Sequence, residues 1–375
     1  MPTTSLRNLV RLYTPIRQVT RPPLPLFRHA GPILRRPATT KVRVPPSRNS
    51  FEKVRFVAAD IPRLSFWTAN ARPPTVPSED AVGAAECLEA CRQYVALAVE
   101  DRPGWRQRAL ATKSGVSPDG KIPLYTLHYA AVVLMQQAAA GHLATHILHT
   151  GVLLGYAPSV LTMARLGLER DLLDRAHFAP AKEALEKLAS AFSSSSSSAG
   201  TDRGGVAEHH VYLADALTAM GLACARSSNT AAAQDRALRF FGSAGRVASS
   251  YADAGAWQWR ASAALEQAAI YLRRGDRERA RAALRGAAYE LDSPEACFRY
   301  AQLLGEEGDD PEERVALLRR AAVSGVEEAA RELSRVELRR LEDDDKGRGL
   351  SEGEKRYRRF LADEWSAIAG DKALI

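Results

Sequence analysis

Apolar residues recur at helical spacing through most of this 375-residue chain. The first clear stripe repeats at intervals of three or four residues and consists of Ala84, Cys87, Leu88, Cys91, Tyr94 and Val95. That spacing places the apolar side chains on one face of an α-helix. Segments rich in Ala, Leu, Glu and Arg, which are good helix formers, continue towards the C-terminus. The pattern therefore predicts an all-α fold.

Residues 122–164 contain no Asp, Glu, Lys or Arg, which raises the question of a membrane span. Glutamines, histidines and Pro158 interrupt the segment, so no continuous apolar stretch of about 20 residues remains. We predict no transmembrane span, and instead three nearly buried helices at about residues 125–140, 142–155 and 158–168. The alternative is a helical hairpin that makes a peripheral membrane contact.

Two segments of different composition divide the chain. Residues 52–80 carry four prolines among short apolar pieces, which predicts an irregular connector. Residues 193–205 contain six consecutive serines and three glycines, which predicts a flexible linker. We expect residues 81–192 to form a helical domain, whose alanine pattern also fits degenerate repeats, and residues 206–342 to form a repeat array.

The sequence repeats itself beyond that linker. One unit covers Leu265–Glu295 and the next covers Ala296–Glu328. Corresponding residues such as Leu284 and Leu318 are 34 positions apart, and a third unit starts near Ala329. Each unit has two apolar-periodic segments joined by a turn that contains Gly and Asp. Repeats of this length indicate stacked helix-turn-helix units.

These units resemble the tetratricopeptide superfamily, including its Sel-one-like variant, over residues 260–342. The resemblance implies helix pairs that stack as an α-solenoid, with small and large packing residues at fixed positions. Those positions hold Ala268, Tyr271, Ala280, Leu284, Ala287, Ala301, Leu318, Ala321 and Ala322. The alternative is a plain helical domain followed by a short repeat array.

The first helices of stacked repeats line a concave surface that commonly holds a peptide or a partner helix. On these helices we expect Arg273, Gln302 and Glu306 to be the polar contacts to a partner. The resemblance therefore implies protein binding.

Residues 343–375 are predicted to form an acidic turn and a closing helix. Ser351 and Glu354 have the spacing of a capping box. One apolar stripe follows, consisting of Tyr357, Phe360, Leu361, Trp365 and Ile368. We expect this helix to cap the end of the array, as stacked repeats require. The alternative is that its aromatic face docks on a partner.

Positive charge is concentrated at the N-terminus. The formal net charge is +8, but ten of the 52 basic residues lie in residues 1–51, where no acidic residue occurs. The rest of the chain has 42 basic residues against 44 acidic ones. An acid-free, Arg-rich start with an amphipathic segment at Ser5–Thr14 is typical of a mitochondrial targeting segment. We expect this N-terminal segment to be disordered. A disordered basic tail without a targeting role is the alternative, and a cut after either Arg28 or Arg55 would fit the sequence.

Two groups of metal-ligating residues stand out. His142, His146 and His149 share one helical face, as a metal site would require. No acidic residue in that segment completes or orients such a site, so we predict buried or interfacial histidines without a metal. Cys87 and Cys91 lie four residues apart, the spacing of a redox pair or half a metal site. We predict that they are free buried thiols instead.

No phosphate-binding loop, nucleophile elbow or Cys-x-x-Cys pair is present, so we predict a protein that is not an enzyme and uses no cofactor. We expect a scaffold, assembly factor or accessory subunit of a mitochondrial complex, in the matrix or on the inner-membrane face, that binds other proteins. The alternative is a helical-repeat factor that binds RNA in mitochondrial gene expression. The near-neutral body of the chain disfavours nucleic-acid binding.

Overall fold

The computed structural model describes residues 51–71, 82–111, 121–195, 203–250, 257–308, 310–344 and 349–370. The disorder and targeting predicted for the N-terminus concern residues that lie outside this set, apart from Phe51. The chain divides into two compact units, unit 1 (Met1–Gly200) and unit 2 (Thr201–Ile375). Helices make up nearly all of the described regular structure, which confirms the all-α prediction.

The described part of unit 1 is built from helices of very different lengths. They are α1 Leu64–Asn70, α2 Ala84–Glu100, α3 Trp105–Ala109, α4 Leu124–Leu134, α5 Gly141–Leu153, α6 Ala157–Glu169 and α7 Ala179–Ser195. Three 3-10 turns cover Ala58–Asp60, Ala138–Ala140 and Ala176–Phe178. Two-residue strands, β1 Leu110–Ala111 and β2 Ile122–Pro123, form a short parallel pair that the sequence did not predict.

The charge-free segment forms the centre of unit 1. Helices α4, α5 and α6 pack in succession, and α2 packs against α4. Helix α5 is buried almost without interruption from Leu143 to Val152, because it carries no charged side chain that would need water. Gly151 lets α5 and α6 cross closely, since a Cβ atom there would lie 2.3 Å from the Ser159 hydroxyl oxygen. A glycine and a serine thus set the distance between these two helices.

Part of the segment predicted to be an irregular connector, residues 52–80, is helical and contributes to the core, whereas residues 72–80 lie outside the described residues. The 3-10 turn Ala58–Asp60 and helix α1 lie within it, and Phe56 and Trp67 are buried. The Trp67 indole nitrogen donates to the carbonyl oxygen of Pro62 at 3.1 Å. Proline is tolerated next to a helix start because its missing N–H is not needed there. Pro62 therefore marks the start of a helix, not a linker.

Unit 2 consists of longer, more regular helices. Its described helices are α8 Arg203–Ser227, α9 Ala231–Ser250, α10 Arg260–Arg273, α11 Arg277–Tyr289, α12 Pro294–Glu307, α13 Pro311–Val323, α14 Glu327–Asp344 and α15 Glu352–Ile368. Helices α8 and α9 pack on each other, α10 packs on α8, and each helix from α10 to α15 packs on the next. This successive packing of helix pairs confirms the predicted solenoid arrangement.

The described helices extend into both ends of the predicted linker 193–205. Helix α7 continues to Ser195 and α8 begins at Arg203, so only residues 196–202 remain outside the described set. The boundary between the two units, after Gly200, lies within those residues.

The turns of the array carry the residues that their backbone conformations need. Gly275, Gly308 and Gly325 have φ angles of +76°, +72° and +94°, a region that residues with a Cβ atom rarely adopt. The carboxylates of Asp276 and Asp310 accept hydrogen bonds from first-turn amides of α11 and α13. These caps satisfy backbone donors that the helix itself leaves unpaired. These glycines therefore mark the ends of α10, α12 and α13, and the two aspartates mark the starts of α11 and α13.

The closing helix α15 packs on α14, but the apolar stripe predicted on it is divided between two faces. Leu361 and Trp365 are half-buried, and Trp365 packs against the core of the array. The rest of the predicted stripe lies at the surface, with exposed fractions of 62%, 58% and 50% for Tyr357, Phe360 and Ile368. The prediction that all five apolar residues form one packed stripe is therefore wrong for Tyr357, Phe360 and Ile368.

A buried ion pair determines which face of α15 meets α14. Glu337 of α14 is 1% exposed and accepts hydrogen bonds from Arg358 of α15 at 2.9 Å and from Arg340 at 3.1 Å. Because a buried carboxylate needs such partners, Arg358 must face α14. Tyr357 and Phe360 lie about 100° and 200° around the helix from Arg358, and both are consequently left on the outside.

Candidate functional site

A groove lies between α10 and α12, the first helices of the two clearest repeats. Its α10 side is an apolar helical face at i, i+3, i+4 and i+7, formed by Leu265, Ala268, Ala269 and Leu272. Its α12 side is mainly polar and consists of Arg299, Gln302, Leu303 and Glu306. Leu284 of α11 completes the lining, and the cavity measures about 280 Å³.

Gln302 and Glu306, two of the three predicted partner contacts, both line this groove. The carboxylate of Glu306 accepts a hydrogen bond from Arg277 at 3.1 Å. Gln302 is exposed and has no hydrogen-bond partner within the part of the chain that the structure describes. Arg273, the third predicted contact, is not among the lining residues and instead donates to Glu266 of the same helix at 3.2 Å.

The predicted packing residues lie inside unit 2. Eight of the nine are at most 2% exposed, and they are Ala268, Ala280, Leu284, Ala287, Ala301, Leu318, Ala321 and Ala322. Tyr271 is half-buried against the same core, and the Arg279 guanidinium lies 5.8 Å from its ring centre. Small side chains at these positions let neighbouring helices approach closely, which gives the groove rigid walls.

Unit 1 contains a second concentration of polar side chains, and this one is buried. The Tyr94 hydroxyl lies 2.7 Å from Nδ1 of His146 and 2.7 Å from the hydroxyl of Thr150. Nε2 of His146 lies 3.3 Å from the carbonyl oxygen of Glu52, and Nε of Arg106 donates to Thr150 at 3.3 Å. Because a carbonyl oxygen can only accept, Nε2 carries the proton and Nδ1 accepts from Tyr94. We call these residues the polar cluster.

The histidines of α5 occupy different environments. His146 and His149 are each 2% exposed, whereas His142 is exposed. Burial, and to a smaller extent the positive charge of Arg106, lowers the pKa of His146 and that of His149 to about 4. Both imidazoles are therefore neutral at physiological pH. Among the residues that the structure describes, no group of three His, Cys, Asp or Glu side chains is arranged to hold a metal ion.

The two cysteines of α2 are free and completely buried. Burial raises the pKa of the Cys87 thiol to about 12 and raises that of Cys91 as well. The thiolate is the reactive form of cysteine, and burial keeps both of these side chains as uncharged thiols.

Sequence reasoning missed a buried carboxylate that holds the start of the array. Asp215 of α8 is 1% exposed, and its carboxylate accepts a hydrogen bond from the backbone amide of Trp259 at 2.8 Å. One turn later on α8, Thr218 accepts from the Trp257 indole nitrogen at 2.9 Å. Burial raises the pKa of Asp215 to about 7. The only signal in the sequence is an aspartate within an otherwise apolar helical stripe. That signal does not identify the backbone amide to which the carboxylate bonds.

Within the described ranges, none of the helices has the combination of length and apolar character that a membrane crossing needs. No known protein family, curated protein or solved structure matches this chain.

Proposed function

We propose that this protein is a non-catalytic helical-repeat scaffold that binds a segment of another protein in the groove between α10 and α12. It acts as an assembly factor or accessory subunit of a mitochondrial complex. The observation that carries the proposal is the groove itself, with one apolar side, one polar side and an amide side chain that has no described partner. The resemblance to tetratricopeptide and Sel-one-like repeats, drawn from the repeat spacing, agrees with it.

The apolar side of the groove suits a bound peptide. Leu272, at the end of that side, is 41% exposed, so its side chain is accessible to a partner. A partner that covered Leu265, Ala269 and Leu272 would remove this surface from water, at roughly 25 cal/mol per Å².

The polar side of the groove suits the backbone of the same peptide. A glutamine amide donates and accepts at once, so Gln302 can pair with an N–H and a C=O group of a peptide. Glu306 and Arg299 are already held by ion pairs with Arg277 and Glu295. Because these pairs are exposed, they restrain the two side chains only weakly, and both remain accessible to a partner.

Mitochondrial location is part of the proposal and is supported by the sequence of residues 1–51. Ten basic residues, the absence of acidic ones and the amphipathic start are the features that an import signal needs. A peripheral contact with the inner membrane is compatible with this location.

The alternative of RNA binding is disfavoured by the arginines of the array. Many of them are paired with carboxylates on neighbouring helices or on the same helix, so a phosphate would have to compete for them. These described pairs are Arg274–Asp235, Arg277–Glu306, Arg281–Glu307, Arg314–Glu332 and Arg320–Asp292.

Affinity purification of the full-length protein from mitochondria, with nuclease treatment, tests the proposal. Leu272→Ser removes exposed apolar surface from the groove, and Val323→Ser is the matched control because Val323 is 78% exposed outside it. We expect Leu272→Ser to reduce a co-purifying protein at least tenfold while Val323→Ser retains it. Equal retention by both variants contradicts the groove assignment, and release of the partner by nuclease favours the RNA alternative.

A further inference from the structure

The segment Phe51–Ile61, which we call the strap, is part of the folded body of unit 1. The Phe51 ring packs edge-on against the rings of His177 and Phe178, with centres 4.9 and 5.3 Å apart. It also lies 5.9 Å from the ring of His149. Phe51 therefore packs against aromatic side chains, and one of them, His149, lies on the same helix as His146 of the polar cluster.

The middle of the strap makes a second set of contacts. Phe56 is only 4% exposed, and its ring packs edge-on against His146 with the centres 5.0 Å apart. The carbonyl oxygen of Glu52 accepts the hydrogen bond from Nε2 of His146. Tyr94 occupies the other ring nitrogen, so the strap supplies the second partner that this buried imidazole needs.

These contacts decide between the two cleavage positions that the sequence leaves open. A cut after Arg55, or one or two residues beyond it, would remove Phe51 and Glu52. His146 would lose its acceptor, and a buried donor without a partner costs on the order of 1–3 kcal/mol. A cut directly after Arg55 would also place the new charged N-terminus on Phe56, whose ring is buried, and a later cut would remove that ring.

We propose that the targeting segment is removed by cleavage between Arg28 and Phe51, and that the strap stays in the mature protein as the cover of the polar cluster. This inference rests on the proposed import into mitochondria. It assigns Arg55, which is exposed, to the folded protein and not to the import signal.

N-terminal sequencing of the protein isolated from mitochondria tests the cleavage position. We expect a mature N-terminus between residues 29 and 51. A terminus at residue 52 or later, a terminus before residue 29, or an intact chain inside mitochondria overturns the inference while leaving import standing. A protein absent from mitochondria contradicts the proposed location instead, so the two failures are distinguishable.

Limited trypsin digestion of the full chain tests the strap separately from import. Phe56→Ser removes the buried ring, and Val57→Ser is the matched control because Val57 is 58% exposed. We expect cleavage after Arg55 to be at least tenfold faster in Phe56→Ser than in the unchanged chain, and unchanged in Val57→Ser. Equal rates in all three proteins would show that the strap is not held, and would overturn its assignment to the folded unit.

Discussion

Unit 1 and unit 2 bury their polar groups in different ways. In unit 1 the buried groups are neutral: Tyr94, His146 and Thr150 bond to one another and to the backbone of the strap. In unit 2 two carboxylates are buried, Asp215 against backbone amides and Glu337 against guanidinium groups. The difference separates a unit whose fully buried polar side chains are neutral from one that buries two carboxyl groups and pairs them with backbone amides or guanidinium groups.

Small-residue packing is the feature of unit 2 whose loss should have the largest effect. Ala301 is completely buried between helices, so Ala301→Arg forces a long charged side chain into a packed core. We expect the free energy of unfolding to fall by at least about 3 kcal/mol. The same change at exposed Ala282 of α11 should alter it by no more than about 0.5 kcal/mol. Chemical denaturation of both variants measures the difference, and similar curves would contradict the packing assignment.

Acidification should affect the two units in opposite directions. The folded pKa values of His146 and His149 lie below their usual 6.5, so the unfolded chain binds protons first and unit 1 loses stability as the pH falls from 6.5 towards 4. The folded pKa of Asp215 lies above its usual 3.8, so the carboxyl group of folded unit 2 binds protons first. Its contribution is full below pH 3.8 and is lost as the pH rises through about 7.

Each of these two changes in the free energy of unfolding should be on the order of 1–3 kcal/mol. Hydrogen exchange of the full chain at pH 7.5 and pH 5, corrected for intrinsic rates, separates the units. We expect lower protection in α5 and higher protection at the start of α10 at the lower pH. Asp215→Asn should abolish the gain in protection at the start of α10 and leave the loss of protection in α5. A change in protection in the same direction in both units would refute this comparison.

The hydroxyl of Tyr94 should contribute a smaller amount to unit 1. Tyr94→Phe keeps the ring but leaves His146 and Thr150 without their shared partner. We expect a loss of about 1–2 kcal/mol. Tyr357→Phe is the matched control, because Tyr357 is 62% exposed and its hydroxyl can be replaced by water. Equal thermal midpoints for the two variants would mean that the polar cluster adds nothing to stability.

The outer face of α15 should matter least for folding. Phe360 is 58% exposed, so we expect Phe360→Ser to change the free energy of unfolding by no more than about 0.5 kcal/mol. A loss of more than about 2 kcal/mol in the free energy of unfolding, measured by denaturation, would show that Phe360 belongs to the core of the array.

The sequence predicted unit 2 better than unit 1 for a physical reason. Good helix formers, glycine at the turns and aspartate at the helix starts are local sequence signals, and the repeats present them at a fixed spacing. Eight of the nine packing positions that the resemblance implies are almost completely buried. The same local signals placed Gln302 and Glu306 on one helix, where both line the groove.

The interior of unit 1 depends on contacts that local patterns cannot specify. His146 bonds to Tyr94, 52 residues away, and to Glu52, 94 residues away. Histidine spacing alone therefore suggested one face for three imidazoles, while the fold buries two and exposes the third. The division of the α15 stripe has a similar origin, since it follows from the pairing of Arg358 with Glu337 across two helices.

Photo-cross-linking from the groove tests the central claim most directly. A photoreactive amino acid is placed at Gln302, and at exposed Ala282 outside the groove as the control, in full-length protein within mitochondria. Groove binding predicts a nuclease-resistant adduct to one protein from position 302 and none from position 282. Equal adducts from both positions, no protein adduct from position 302, or an adduct that nuclease removes would contradict the claim that this groove binds a protein segment.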